Sequence, residues 1–197
     1  MKEFAKNSFF LAAAVCVLLA VVLVSSVQER GAALAERIVR MHVVAASDEP
    51  AEQAVKLEVR DAVSDLLTPR LALCRDRAEA ERAVRESLGE IEAEARRVYG
   101  GEVSVSLRRE ELPTREYDTF SLPAGEYETL RITLGAGEGH NWWCVVFPPI
   151  CSAGSEEQVL AYLGKKDAAF VTGEGVVIRF RIAEWLSKLA PRRGRRA

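Results

Sequence analysis

Gly135-Ala-Gly-Glu-Gly-His-Asn-Trp-Trp-Cys-Val-Val-Phe-Pro-Pro-Ile-Cys151 runs from a glycine loop into an unbroken apolar segment and then a Pro-Pro pair. From Trp142 to Phe147 polar and apolar residues do not alternate, which predicts a central strand covered on both faces. On a strand, Trp142 and Trp143 point to opposite sides. One fills a core and its neighbour packs under a helix or reaches a surface, where tryptophan is a common interface anchor. The glycine loop reads as a hairpin connection. Loops that cradle phosphate need a following helix N-terminus to aim N–H groups at the anion, and Glu138 repels one.

Working outward, the chain alternates between the two periods of regular structure. Leu130, Ile132 and Leu134 share one face of a strand over 127–134, and Val103, Val105 and Leu107 share one face of another. Val39, Met41 and Val43 mark a strand within Arg37–Ala45. Ser47 and Asp48 offer capping oxygens and Pro50 suits a first helical turn. Val55, Val59, Ala62, Val63, Leu66 and Leu67 then recur at helical spacing up to Pro69. A second helix opens at Asp76 with Glu79 three residues on, carries Val84, Leu88, Ile91, Ala95 and Val98, and ends at Gly100-Gly101. Residues 152–175 are poorly patterned, and 176–181 fit either a last strand or the start of a helix through Leu189. The expected fold is α+β: two amphipathic helices packed on a mostly antiparallel sheet, preceded by an N-terminal hydrophobic segment.

That segment decides the compartment. Lys2 and Lys6 precede an apolar run from Phe9 to Val24, and a cleaved signal peptide and a retained membrane anchor both fit. Ala33-Leu34-Ala35 has the small-x-small form of a cleavage site. Either way the flanking lysines leave the remainder outside the cytoplasm. Residues 1–35 are therefore set apart from a single extracytoplasmic domain over 36–190 and a basic tail over 191–197. The whole chain carries 27 basic and 29 acidic residues. Without the first 35 residues and the tail arginines 192, 193, 195 and 196, the body is net −7. Nucleic acid is an unsuitable partner for such a body. The tail reads as a solvated end, with anionic lipid as the alternative.

The stretch 135–151 also concentrates reactive side chains. His140 and Cys144 suggest a thiol with its base, but on a strand they lie about 13 Å apart. Two histidines and scattered cysteines show no metal-site spacing, and no cofactor is expected. Outside the cytoplasm Cys144 and Cys151 are candidates for a disulfide. Bridged Cα atoms sit about 5.5–6 Å apart, so the chain must reverse between them, and Pro148-Pro149 is where it can. Two free thiols are the alternative, with Cys74 a competitor.

Gly137-Glu-Gly-His-Asn-Trp-Trp-Cys-Val-Val-Phe-Pro-Pro-Ile-Cys151 resembles the signature block of the stage II sporulation protein R family. Leu122-Pro-Ala-Gly-Glu-Tyr-Glu-Thr-Leu-Arg-Ile-Thr-Leu-Gly135 is similar too. So are Ile38-Val-Arg-Met-His-Val-Val-Ala-Ala-Ser-Asp48 and Gln53-Ala-Val-Lys-Leu-Glu-Val-Arg-Asp-Ala-Val63. Ala46 departs from the asparagine usual in the family. The resemblance implies a protein made in the developing spore and exported into the space between the forespore and mother-cell membranes. There it would activate a membrane-embedded aspartic protease that processes the precursor of an early mother-cell sigma factor. It is then a signal and not an enzyme. Gly137, Gly139, His140, Asn141, Trp142 and Trp143 are the residues proposed for contact with that protease, and the N-terminal segment for contact with the membrane. The competing expectation is an extracytoplasmic enzyme acting on cell-wall material through Cys144 or His140.

Overall fold

A computed structural model describes residues 2–117, 120–148, 156–173 and 175–189. In chain order its elements are α1 (Lys2–Ala35), β1 (Val39–Val44), α2 (Pro50–Leu71), α3 (Arg77–Glu86), α4 (Leu88–Tyr99) and β2 (Val103–Leu112). Two short strands follow, β3 (Arg115–Glu116) and β4 (Ser121–Leu122), then β5 (Gly125–Leu134), β6 (Asn141–Phe147), α5 (Glu156–Val171) and α6 (Val176–Leu189). The fold is α+β. The chain divides into two compact units, one built from residues 34–112 and 126–168, the other from 1–33, 113–125 and 169 onward.

The larger unit holds a sheet of order β2-β5-β1-β6. β1 pairs parallel with β5 and antiparallel with β6, so the sheet is mixed. β1 is one of the two inner strands and is buried at every position, Arg40 and His42 included. Among the described residues β6 lies at the sheet edge, not at its centre. Its apolar run reflects cover from side chains: α2 packs on it, and Tyr162 meets Phe147 edge-on at 5.2 Å.

One face of the sheet meets α2, α3 and α4. Val39, Met41 and Val43, with Leu130, Ile132 and Leu134, join Val59, Val63, Leu67, Val84 and Ile91 in a single core. Each fully buried aliphatic side chain contributes about 1.5–3 kcal/mol relative to exposure. The sequence reads α3 and α4 as one helix. Ser87 separates them: its hydroxyl donates to the carbonyl of Ala83 at 2.7 Å and accepts from Arg70 Nη1 at 2.5 Å. Such back-bonding competes with the helical ladder. Asp76 caps α3 as expected, accepting from the Glu79 N–H at 2.9 Å, and Gly100 closes α4 in the left-handed region at φ 74°.

Residues from 156, poorly patterned in the sequence, form α5, most of it in the larger unit, and α6, which belongs to the second unit. Gly164 interrupts α5 with φ 74° and ψ 163°, which breaks the period that would have revealed it. Val176–Leu189 is helix, not strand. Phe170, Val171, Val176 and Phe180 are buried in the second unit, with Phe120 and Leu122 of the connecting segment.

Candidate functional site

The loop between β5 and β6 is fastened to the connection between β1 and α2. Glu138 and Gly139 donate their N–H groups to the carbonyls of Ala46 and Ala45 at 3.1 and 2.9 Å. A Cβ on Gly139 would lie 2.2 Å from the Ser47 carbonyl oxygen, so only glycine allows this approach. Gly137 adopts φ +66°, and a Cβ there would meet Thr133 Cγ2 at 2.5 Å. Asp48 does not cap α2. Its Oδ1 instead accepts from the His140 backbone N–H at 2.6 Å and pairs with His140 Nδ1. The helix begins at Glu49 without a side-chain cap, Pro50 serving as its first residue.

Beneath this clasp lies Lys56, which the sequence reading passes over. It is buried, yet its ammonium donates to the His140 carbonyl at 3.0 Å and to Gln53 Oε1 at 2.6 Å. Burial pushes its pKa down, Asp48 opposes that shift, and Arg60 adds to it. Gln53 also donates from Nε2 to the Ser47 carbonyl at 2.8 Å. The first turns of α2 therefore hold both ends of the clasp.

β6 carries the clasp into the sheet. Trp142 faces α2 with its ring under the Arg60 guanidinium at 4.5 Å, while 37% of the residue stays exposed. Trp143 faces the other way and stacks on His42 at 5.2 Å with an 18° angle between rings. The opposite-face expectation therefore holds, with one tryptophan on each side.

A polar row crosses the far face of the sheet through Glu110 on β2, Arg131 on β5, His42 on β1 and Asn141 on β6. Arg131 Nη1 donates to Glu110 at 2.6 Å. His42 Nδ1 lies 3.2 Å from both carboxylate oxygens of Glu110, and His42 Nε2 lies 2.7 Å from Asn141 Oδ1. The register puts His42 beside Arg131 on one side and Trp143 on the other. A hydrogen-bonded chain of this kind rigidifies the face that carries it.

Of the predicted residues, Gly137, Gly139, His140, Asn141 and Trp142 follow one another as a ridge along the loop and the start of β6, and Trp143 leaves it by turning to the opposite face. Asn141 and Trp142 are exposed, and the His140 side chain is 77% exposed. Cys144 is buried and disulfide-bonded, whereas Cys16 and Cys74 are free. Cys144 thus presents no thiolate to pair with His140. Cys151, expected as its partner, lies outside the described residues, as do Pro149 and the basic tail. No group of metal-binding side chains occurs among the described residues. α1 is long and apolar enough over Asn7–Ala35 to cross a membrane.

A backbone-clamped loop, two tryptophans on opposite faces of an edge strand and an apolar leading helix of membrane length define an α+β protein of the anchored or exported class. Known proteins agree on the lineage. The family described as Stage II sporulation protein R matches residues 35–157, which contain the entire clasp. The chain is 33% identical over 183 residues to Stage II sporulation protein R of Bacillus subtilis (strain 168), covering 78% of this chain and 82% of that protein. No solved structure matches. The chain belongs to the stage II sporulation protein R family.

Proposed function

We propose that this protein is an exported signal of endospore formation. It is made in the forespore and delivered to the space between the forespore and mother-cell membranes. There it activates a membrane-embedded aspartic protease that processes the precursor of an early mother-cell sigma factor. The observation that carries the reading is the family match over 35–157 on a chain led by a membrane-length apolar helix. The protein acts by binding and contributes no chemistry to the cleavage.

The ridge from Gly137 to Trp142 is the contact surface. A ligand shifts an equilibrium only by binding one state more tightly than the other, and a rigid surface discriminates between states better than a mobile one. The clasp on Ala45, Ala46 and Asp48 supplies that rigidity. Trp142 offers an exposed aromatic anchor.

Co-expression of this chain with the protease and its precursor substrate in a non-sporulating host tests the function. Cleavage that requires this chain supports it, and cleavage without it overturns it. Trp142→Ala with His140→Ala tests the surface. A folded variant that still drives normal processing removes the ridge from the mechanism while leaving the signalling role intact.

A further inference from the structure

α6 has two apolar faces, and its fold needs only one. Val176, Phe180 and Ala183 turn inward and are 6%, 1% and 3% exposed. Ile178, Ile182 and Trp185 recur at i, i+4 and i+7, one helical stripe, and are 65%, 42% and 61% exposed. Apart from Leu73 and Trp142, all other exposed large hydrophobic residues among those described belong to α1, from Phe9 to Val22. Bare apolar surface is thus concentrated in the unit that contains the membrane-length helix.

The same unit ties α6 to α1 at an informative height. Arg30 of α1 sits over the Phe170 ring at 5.6 Å, and Arg179 of α6 covers the same ring at 5.3 Å. Arg179 Nη2 also donates to the Phe170 carbonyl at 2.7 Å, and Phe170 meets Phe180 at 5.0 Å. On α1, Val27 is the first residue buried by this unit. The stretch Asn7 to Ser26 is left for lipid, about 30 Å of helix at 1.5 Å per residue, which matches a hydrocarbon core of about 30 Å. Arg30 lies four residues further, about 6 Å beyond that core and within the headgroup layer. α6 is therefore held at the depth where interfacial helices lie.

We propose that α6 is a second membrane contact. Its Ile178–Ile182–Trp185 stripe seats in the lipid boundary beside α1. The exposed Arg181 and Lys188 face anionic headgroups. Trp at the boundary and basic residues on the polar side are the composition of such helices. A bilayer explains a bare stripe in the same compact unit as a membrane-length helix, and a basic flank directs it to anionic lipid. Contact of this kind keeps the folded body at the membrane even when α1 is cut near Ala33–Ala35.

The test uses the full chain reconstituted in phosphatidylcholine–phosphatidylglycerol vesicles with or without bromine on the acyl chains. Trp185 emission is read as the difference between wild type and Trp185→Phe. Seating about 5–10 Å into the boundary brings the ring within reach of the bromines, so this difference falls about twofold in brominated vesicles. Ile178→Asp with Ile182→Asp abolishes the quenching, while near-ultraviolet circular dichroism stays native and alkaline-washed vesicles still retain the chain through α1. Equal quenching of wild type and Trp185→Phe overturns the proposal. So does a Trp185 signal that ignores bromine but changes with protein density in the bilayer, which assigns the stripe to a protein interface. A chain not retained after alkaline washing removes the spanning role of α1 and this proposal with it.

Discussion

Replacing Gly139 with alanine puts a Cβ 2.2 Å from the Ser47 carbonyl oxygen, 2.5 Å from its carbonyl carbon and 2.9 Å from Ala45 Cβ. Two of these atoms are backbone, so no side-chain rotation relieves the contact. Either the β1–α2 connection moves or the loop lifts away. Overpacking of this kind costs about 1–3 kcal/mol. Lifting the loop also strains the bonds from Glu138 and Gly139 to Ala46 and Ala45, each contributing about 0.5–1.5 kcal/mol. The expected loss is about 2–6 kcal/mol. At about 2–4 °C per kcal/mol for a chain of this size, the midpoint falls by roughly 4–24 °C. Gly89→Ala is the matched control. Gly89 lies in α4 with nothing within 4 Å of a built Cβ, so alanine there raises stability by about 0.5–1 kcal/mol. Urea and thermal unfolding of the full chain in detergent, followed by tryptophan emission, read both variants. A Gly139→Ala protein within about 0.5 kcal/mol of wild type refutes the clasp.

Other substitutions probe the surrounding geometry. Trp143→Ala loses the His42 stack and costs about 2–3 kcal/mol, whereas Trp142→Ala, half in solvent, costs about 1 kcal/mol; equal losses in denaturant titrations refute the two-face arrangement. Asp76→Ala removes the α3 cap and lowers stability by about 1 kcal/mol by the same titration. Glu128 is buried, and desolvation, helped by Glu81, raises its pKa above the ordinary 4.5 despite Arg77, Arg85 and Arg109. The folded chain therefore binds this proton more tightly than the unfolded chain, so its contribution to stability is lost as pH climbs through 4.5 and past the raised folded value. Glu128→Gln accordingly stabilises at pH 7 and is neutral below that window, and a pH series of unfolding midpoints that shows no such divergence counts against it.

The core face was legible because one-sided patterns name it directly. Val39, Met41 and Val43 occupy the core as their spacing predicts, and so do Leu130, Ile132 and Leu134. The far face was not legible. Arg40 and His42 look like solvent-facing positions of a half-buried strand, yet both are buried. Their compensation comes from distant residues: the Tyr127 ring lies 5.0 Å from the Arg40 guanidinium, and Glu110 and Asn141 flank His42. The helical break at Ser87 depends on Arg70, seventeen residues away. At the site, the sequence singled out the ridge residues but not what holds them. Asp48 reads in the sequence as a helix cap, and Lys56 hides on a helix face that otherwise reads as ordinary. A charged residue on the non-core face of each of β1, β2 and β5 was the available signal for the polar row.

The inner position of β1 has a consequence for how the protein is delivered. Both of its partners come late in the chain: Arg40 aligns with Thr129, 89 residues on, and Val44 aligns with Asn141, 97 residues on. A polypeptide threaded through a membrane from its N-terminus presents β1 early, with no strand to join. Until residue 147 has emerged, the sheet lacks its last strand. Pairings this remote make folding slow relative to local helix formation. The topology thus ties completion of the sheet to the arrival of β6, whichever end of the chain is released first.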